Sequence, residues 1–128
     1  MTEIELIKQW LKYAFNDLFV AKKCLAMRPK QTEIACYHCQ QSAEKALKGS
    51  LLFHKIEPPR THNLIQLCQM CMDCDAGFTG ILNSCAELNS FSTIPRYPDE
   101  AAPDESIAKS AISDAQKVYD FCAKKITK

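Results

Sequence analysis

Three places in this chain hold side chains that could grip or transform a charged ligand. His38, Gln41, Lys45 and Lys48 recur at i, i+3, i+7 and i+10. On a helix that spacing gathers them into one narrow stripe. Two ammonium groups and an imidazole in line can each donate to a phosphate oxygen. The competing reading is a solvated helix face, with Lys45 and Lys48 paired to Glu44 or to aspartates. Arg60 and His62 sit where a proline-stiffened connector, Ile56-Glu57-Pro58-Pro59-Arg60, enters a helix. An arginine beside a helix N-terminus favours anions; equally, Thr61 or His62 could cap that helix while Arg60 stays in water. Arg96 and Tyr97 lie between Pro95 and Pro98 in a rigid loop. They could line a ligand cleft, or pin the loop to the body of the protein through an acid such as Asp17.

The eight cysteines raise a different chemistry. Cys68, Cys71 and Cys74 follow a C-x-x-C-x-x-C pattern, and Cys36 and Cys39 flank His38. Such spacing suits a zinc site or an iron–sulfur cluster. Both sets, however, fall inside helical patterns. No fourth cysteine followed by proline completes a ferredoxin run, and no glycine loosens the segment around Cys68. Cys36, Cys39, Cys68 and Cys71 stand where the pattern asks for small apolar residues, so the expectation is reduced, buried thiols and no metal or other cofactor. Cys74, at a helix end, is the expected exposed and reactive thiol.

The elements that must carry these residues are helical. Ile7, Leu11, Ala14, Leu18, Ala21 and Leu25 step by four and three, predicting a helix over 4–27 with Trp10 and Phe15 widening its apolar stripe. Pro29 ends it. A second helix is expected over 33–54, with Thr32 as its cap and Cys36, Cys39, Ala43, Ala46, Leu47, Ser50 and Leu51 on the packed side. A third is expected over 63–73 and a fourth over 78–92, after a turn at Asp75-Ala76-Gly77. The last begins at Pro103, a suitable first helical residue, and runs to about Lys125 with Ala108, Ala111, Ala115, Val118 and Cys122 inward. No strand pattern and no internal repeat is found. The fold class is all-α, an up-and-down bundle of four or five helices framed by the first, second and last.

At 128 residues, 47% of them apolar, the chain is long enough for one core, so residues 1–128 are expected to form a single domain. A net charge of +1 gives no overall field for nucleic acid or membrane, and any basic site must be local. The acidic start Met1-Thr2-Glu3-Ile4-Glu5 does not read as a signal peptide, and no apolar run reaches the roughly 20 residues of a membrane span. The expected location is the cytoplasm, away from membranes.

The block Cys-Tyr-His-Cys-Gln-Gln-Ser-Ala-Glu-Lys-Ala-Leu-Lys (36–48), then Pro59-Arg60-Thr61-His62-Asn63-Leu64, then Arg96-Tyr97-Pro98, resembles the HEPN domain. Ala14-Phe15-Asn16-Asp17-Leu18 with Ala21, and the last helix with Ala108, Ala111, Ala115 and Val118, fit the same family, so the similarity spans nearly the whole chain. The resemblance implies a helical bundle that commonly forms a homodimer and binds nucleotide or RNA. Stand-alone members are similar to the helical partner of a minimal nucleotidyltransferase in two-component, toxin–antitoxin-like pairs; others are metal-independent ribonucleases and toxins.

The ribonuclease branch carries an arginine followed four to six residues later by a histidine. Here Arg60 precedes His62 by two, Arg28 precedes His38 by ten, and no histidine follows Arg96. The expected function is therefore a non-catalytic, homodimeric module that binds nucleotide or substrate beside a minimal nucleotidyltransferase, through His38, Gln41, Lys45, Lys48, Arg60, His62, Arg96 and Tyr97. The alternatives are a ribonuclease toxin with a non-standard site and a purely structural dimerisation unit.

Overall fold

The computed structural model describes residues 1–92 and 101–127. Among the described residues five α-helices are found: α1 (Glu3–Ala26), α2 (Thr32–Phe53), α3 (Leu64–Cys74), α4 (Leu82–Leu88) and α5 (Glu105–Ile126). Helix α1 starts at a capping box that the pattern reading missed. The Glu5 amide donates to Thr2 Oγ1 at 3.1 Å, and the Thr2 amide donates to Glu5 Oε2 at 3.2 Å.

Four expected boundaries are corrected. Thr32 does not cap α2; it is the first helical residue, and Gln31 precedes it without a side-chain cap. The Gln31 amide donates to the Cys24 carbonyl at 3.0 Å, which ties the loop one residue earlier. Neither Thr61 nor His62 caps α3. Asn63 Oδ1 accepts from the Gln66 amide at 3.1 Å, Thr61 Oγ1 accepts from the Asn63 amide, and the His62 ring is committed elsewhere. The segment expected as one helix over 78–92 divides into a 3-10 turn (Ala76–Ile81), α4, and a second 3-10 turn (Asn89–Phe91). Gly77 and Gly80 weaken an α-helix there, and the three-residue step of a 3-10 turn buries both Phe78 and Ile81. Pro103 lies outside α5, because Asp104 Oδ1 accepts from the Ile107 amide at 2.8 Å and takes the cap.

The chain is an all-α up-and-down bundle with α2 in the middle, packed on α1, α3 and α5. The faces are small. Ala14, Ala21, Ala35, Ala43, Ala46, Ala108, Ala111 and Ala115 are buried, together with seven cysteines. Small side chains let helix backbones approach closely. A Cβ built on Gly49, inside α2, would lie 3.0 Å from Trp10 Cβ on α1. Of the residues expected to widen the α1 stripe, Trp10 is half-buried, while Phe15 is exposed with its ring 5.9 Å from that of Tyr119.

The thiols behave as core residues. Burial pushes Cys39, Cys71 and Cys24 above the ordinary thiol range and Cys122 to about 12. Contact with Cys68, then burial, raises Cys85. Cys74 is exposed on the last turn of α3. Iodoacetamide at pH 8 should therefore alkylate one thiol in the native protein, mapped to Cys74 by mass spectrometry, and all eight after denaturation. Gly49→Val should lower stability by about 1–3 kcal/mol through overpacking against Trp10, read as a shift in denaturant midpoint.

Candidate functional site

The stripe His38–Gln41–Lys45–Lys48 does lie on one side of α2, but it is not a solvated face. Lys48 and Glu44 are buried, and His38, Gln41 and Lys45 are half-buried. Two carboxylates organise it. Asp17 interrupts the apolar face of α1 and is itself buried. His38 Nδ1 donates to Asp17 Oδ1 at 2.9 Å, and Lys45 Nζ donates to Asp17 Oδ2 at 2.5 Å. A carboxylate can only accept, so the contact assigns the His38 proton to Nδ1. Because residues 38 and 45 are two helical turns apart, one carboxylate on the neighbouring helix can bridge them.

Glu44 gathers the second half. Its Oε2 accepts from Lys48 Nζ at 3.0 Å. Its Oε1 accepts from His62 Nδ1 at 2.9 Å and, more weakly, from Gln40 Nε2 at 3.4 Å and Gln41 Nε2 at 3.5 Å. Gln40 is fully buried and also donates to the His62 carbonyl at 3.0 Å, clamping the connector onto α2. Gln41 Nε2 donates to Gln40 Oε1 at 2.8 Å. Two ammonium groups thus face two carboxylates. The stripe is therefore balanced internally and is no free cationic surface.

Part of it still opens outward. A recess of about 300 Å³ is lined by Leu6, Trp10, Lys48, Leu52, Glu57, Pro58, Pro59 and Arg60. The Lys48 ammonium lies 6.0 Å from the centre of the Trp10 ring, at the outer reach of a cation–π contact. Arg60 is exposed. His62 stands beside the recess with its side chain 71% exposed and one ring nitrogen held by Glu44. The N-terminus of α3 does not offer its amides to an anion as the sequence suggested: the Leu64 amide donates to Asn89 Oδ1 at 2.8 Å and the Gln66 amide to Asn63. A second recess, about 780 Å³, is edged by Lys22, Lys109, Lys117 and Lys124 on α1 and α5, and no candidate residue lines it.

Lys48, Arg60 and Trp10 thus converge, His62 joins Lys48 through Glu44, and His38 and Lys45 converge on Asp17. Arg96 and Tyr97 lie outside the described residues, and Asp17, the acid considered for Arg96, is engaged by α2. Pairing of Lys45 and Lys48 with Glu44 or an aspartate is one of the sequence readings; what sequence reasoning missed is that Asp17 also holds His38 and that Glu44 also holds His62. The signals were present: an acid within an apolar heptad, and a glutamate four residues before a lysine. Cys68 and Cys71 are buried while Cys74 is exposed, so the C-x-x-C-x-x-C pattern is split between core and surface. Among the described residues, no three His, Cys, Asp or Glu side chains are grouped to hold a metal ion. No helix among them is long and apolar enough to cross a membrane.

The family model of the HEPN domain matches residues 7–126, from within the second turn of α1 to the end of α5. The chain belongs to the HEPN domain family. This HEPN chain is similar in structure to ST0689, an archaeal HEPN homologue, with a TM-score of 0.73 and 28% identity over 98% of this chain and 99% of the other. It is similar also to TT1696 from Thermus thermophilus, with a TM-score of 0.74 and 26% identity over 93% and 97% of the two chains. No curated protein matches it.

The buried Glu44–Lys48 pair supplies a test of the network. Glu44→Ala strands a buried ammonium and should cost about 3–5 kcal/mol, whereas Glu44→Ala with Lys48→Met should recover most of that loss in equilibrium unfolding.

Proposed function

We propose that this HEPN chain, acting as one domain in the cytoplasm, is a non-catalytic, homodimeric binding module. In this reading it works with a separately encoded minimal nucleotidyltransferase, as in a toxin–antitoxin-like pair. The partner supplies the metal-binding carboxylates, and this chain supplies a basic, aromatic-edged wall for a nucleotide or other phosphorylated substrate. The observation that carries the reading is the convergence of Lys48, Arg60 and Trp10 on one recess. Lys48 offers a point donor whose stem is fixed by packing, Arg60 offers a planar fork at the rim, and Trp10 offers a flat apolar wall. His38 and Lys45 brace α2 against α1 through Asp17, Gln41 bonds Gln40 and Glu44 within α2, and none of the three lines the recess. A core holding seven cysteines suits a reducing compartment.

A specific contact favours a second reading, a metal-independent ribonuclease. Glu44 holds His62 Nδ1 and leaves its other ring nitrogen toward solvent, with Arg60 two residues away. An imidazole so oriented can take the proton of an RNA 2′-hydroxyl. The freed oxygen then forms a bond to phosphorus, the 5′-oxygen leaves, and a nearby guanidinium steadies the added negative charge.

One experiment separates the two. ATP, as probe, should bind the wild-type chain, and Arg60→Ala should weaken it about five- to ten-fold, or roughly 1–1.4 kcal/mol. The melting temperature should not move, because Arg60 is exposed. Unchanged affinity would remove Arg60 from the site. RNA cleavage in EDTA that disappears with His62→Ala would favour the ribonuclease.

A further inference from the structure

The larger recess, between α1, α5 and the 3-10 turn Ala76–Ile81, shares no residue with the one that holds Lys48 and Arg60. Its floor is apolar: buried Ile81, half-buried Ile112 and the half-buried ring of Phe121. That ring makes a T-shaped contact with Phe78 at 4.9 Å, and the Lys125 ammonium lies 5.5 Å from its centre. Little of its face is left to stack on a planar ligand. The rim is cationic. Lys22, Lys109, Lys117 and Lys124 are exposed along it, against one carboxylate, Asp120. A lysine lays its stem on apolar surface and keeps its ammonium in water, so such a rim suits an apolar floor. Glu105 holds Lys109 at 2.8 Å, but Lys30 matches that acid at 2.7 Å. The rim therefore carries a surplus of +3 in a chain whose net charge is +1, and the remainder of the chain is net acidic.

Two of the four ammonium groups are committed. Lys109 is held by Glu105, and Lys22 Nζ donates to Gln116 Oε1 at 2.6 Å. Gln116 Nε2 donates in turn to Asp120 Oδ1 at 2.8 Å, so the amide is engaged at both ends. Lys117 and Lys124 pair with no carboxylate among the described residues. They stand seven residues apart on one face of α5, about 10 Å along its axis, and flexible stems let both reach a group between them. The dimensions select the occupant. Lys109 and Lys124 are about 22 Å apart along α5. Spread over that length, a volume of about 780 Å³ has a section of about 35 Å². A helix about 10–12 Å across needs about 80 Å² or more. An extended peptide needs about 48 Å², by its strand and sheet spacings, and brings backbone groups that this floor cannot satisfy. A single aliphatic chain is narrower and asks for no hydrogen bonds. A nucleotide fits less well, because its base meets no open ring and the one amide of the lining is already engaged.

We propose that this recess binds a free, single-chain amphiphile with a doubly charged head, of the alkyl phosphate class. The chain lies on Ile81 and Ile112, and Lys117 and Lys124 close on the head. A phosphate monoester carries about −1.5 to −2 charge at pH 7, which answers the surplus better than one carboxylate. A membrane lipid is the poorer source, because its chain stays in the bilayer and leaves the apolar floor unused. The proposal goes beyond the nucleotide reading above and does not depend on it.

Dodecyl phosphate, kept at monomeric concentrations and titrated calorimetrically into the full chain, is the test. One molecule per chain should bind. Lys117→Gln with Lys124→Gln should weaken it about ten-fold, or about 1.4 kcal/mol. The melting temperature should not move, because both lysines are exposed. Asp120→Asn should tighten binding about two-fold. Dodecanol and inorganic phosphate, the two halves of the probe, should each bind at least about ten-fold more weakly than the whole. No stoichiometric binding, binding that the double variant leaves intact, or phosphate binding as tightly as the probe overturns the proposal. Displacement of the probe by ATP also overturns it and gives this recess to the nucleotide. Sedimentation with vesicles of phosphatidylcholine and phosphatidate, without binding of the monomeric probe, overturns it in favour of a membrane surface. If the double variant does not fold, an Asp120→Asn chain that binds no more tightly decides against it.

Discussion

Helix α2 carries two lysines and a histidine through the middle of the bundle, and the carboxylates of Asp17 and Glu44 are what permit it. Lys48 is buried in a position where an unpaired ammonium would be expelled or neutralised. Asp17 is equally out of place on α1, in the same apolar repeat as Leu18 and Ala21. Glu44 on the same helix answers Lys48, and His38 and Lys45 across the helix pair answer Asp17. The helix pair packed closely at Gly49 against Trp10 is also the pair joined through Asp17. A third tie adds to it, because Ser42 Oγ donates to the Ala14 carbonyl at 2.7 Å. Packing and polarity thus lock α1 to α2 in one register.

That arrangement changes what the basic residues can do. His38 and Lys45 spend their hydrogen bonds on Asp17, so they fix geometry rather than offer charge to a ligand. Lys48 differs, since one side meets Glu44 and the other reaches the recess beside Trp10. Arg60 arrives there because the Pro58-Pro59 connector is clamped at its far end by Gln40 on the His62 carbonyl. The proline stiffness matters only in company with that clamp: a short extended segment fixed at both ends has few conformations left to lose on binding.

Much of the fold was legible in the residues. The apolar repeat of α1, the proline breaks and the alanine-rich face of α5 are local signals, and they set helix type and order. Ends were less legible, because several side chains compete for each cap. Asn63 capped α3 in place of His62, Asp104 capped α5 just after Pro103, and Thr32 entered α2 rather than capping it. The candidate site was legible as a set of residue types and, within α2, as the Glu44–Lys48 pair, but not in the pairs that cross between elements. Spacing on one helix cannot reveal an acid contributed by another, and the bridge from Asp17 to α2 spans 21 and 28 residues.

Seven of the eight cysteines lie in the core, where they serve as small apolar residues, and Cys24, Cys39, Cys71, Cys85 and Cys122 are held above the ordinary thiol range. Their safety is a property of the closed state alone. Once the bundle opens in an oxidising medium, thiols from α1, α2, α3, α4 and α5 meet with no geometry to restrain which pairs form. Any wrong pairing would hold the chain away from its native contacts. Unfolding that is reversible under reduction should then become one-way under oxidation, so the lifetime of this protein outside a reducing compartment is set by its opening rate rather than by its equilibrium stability.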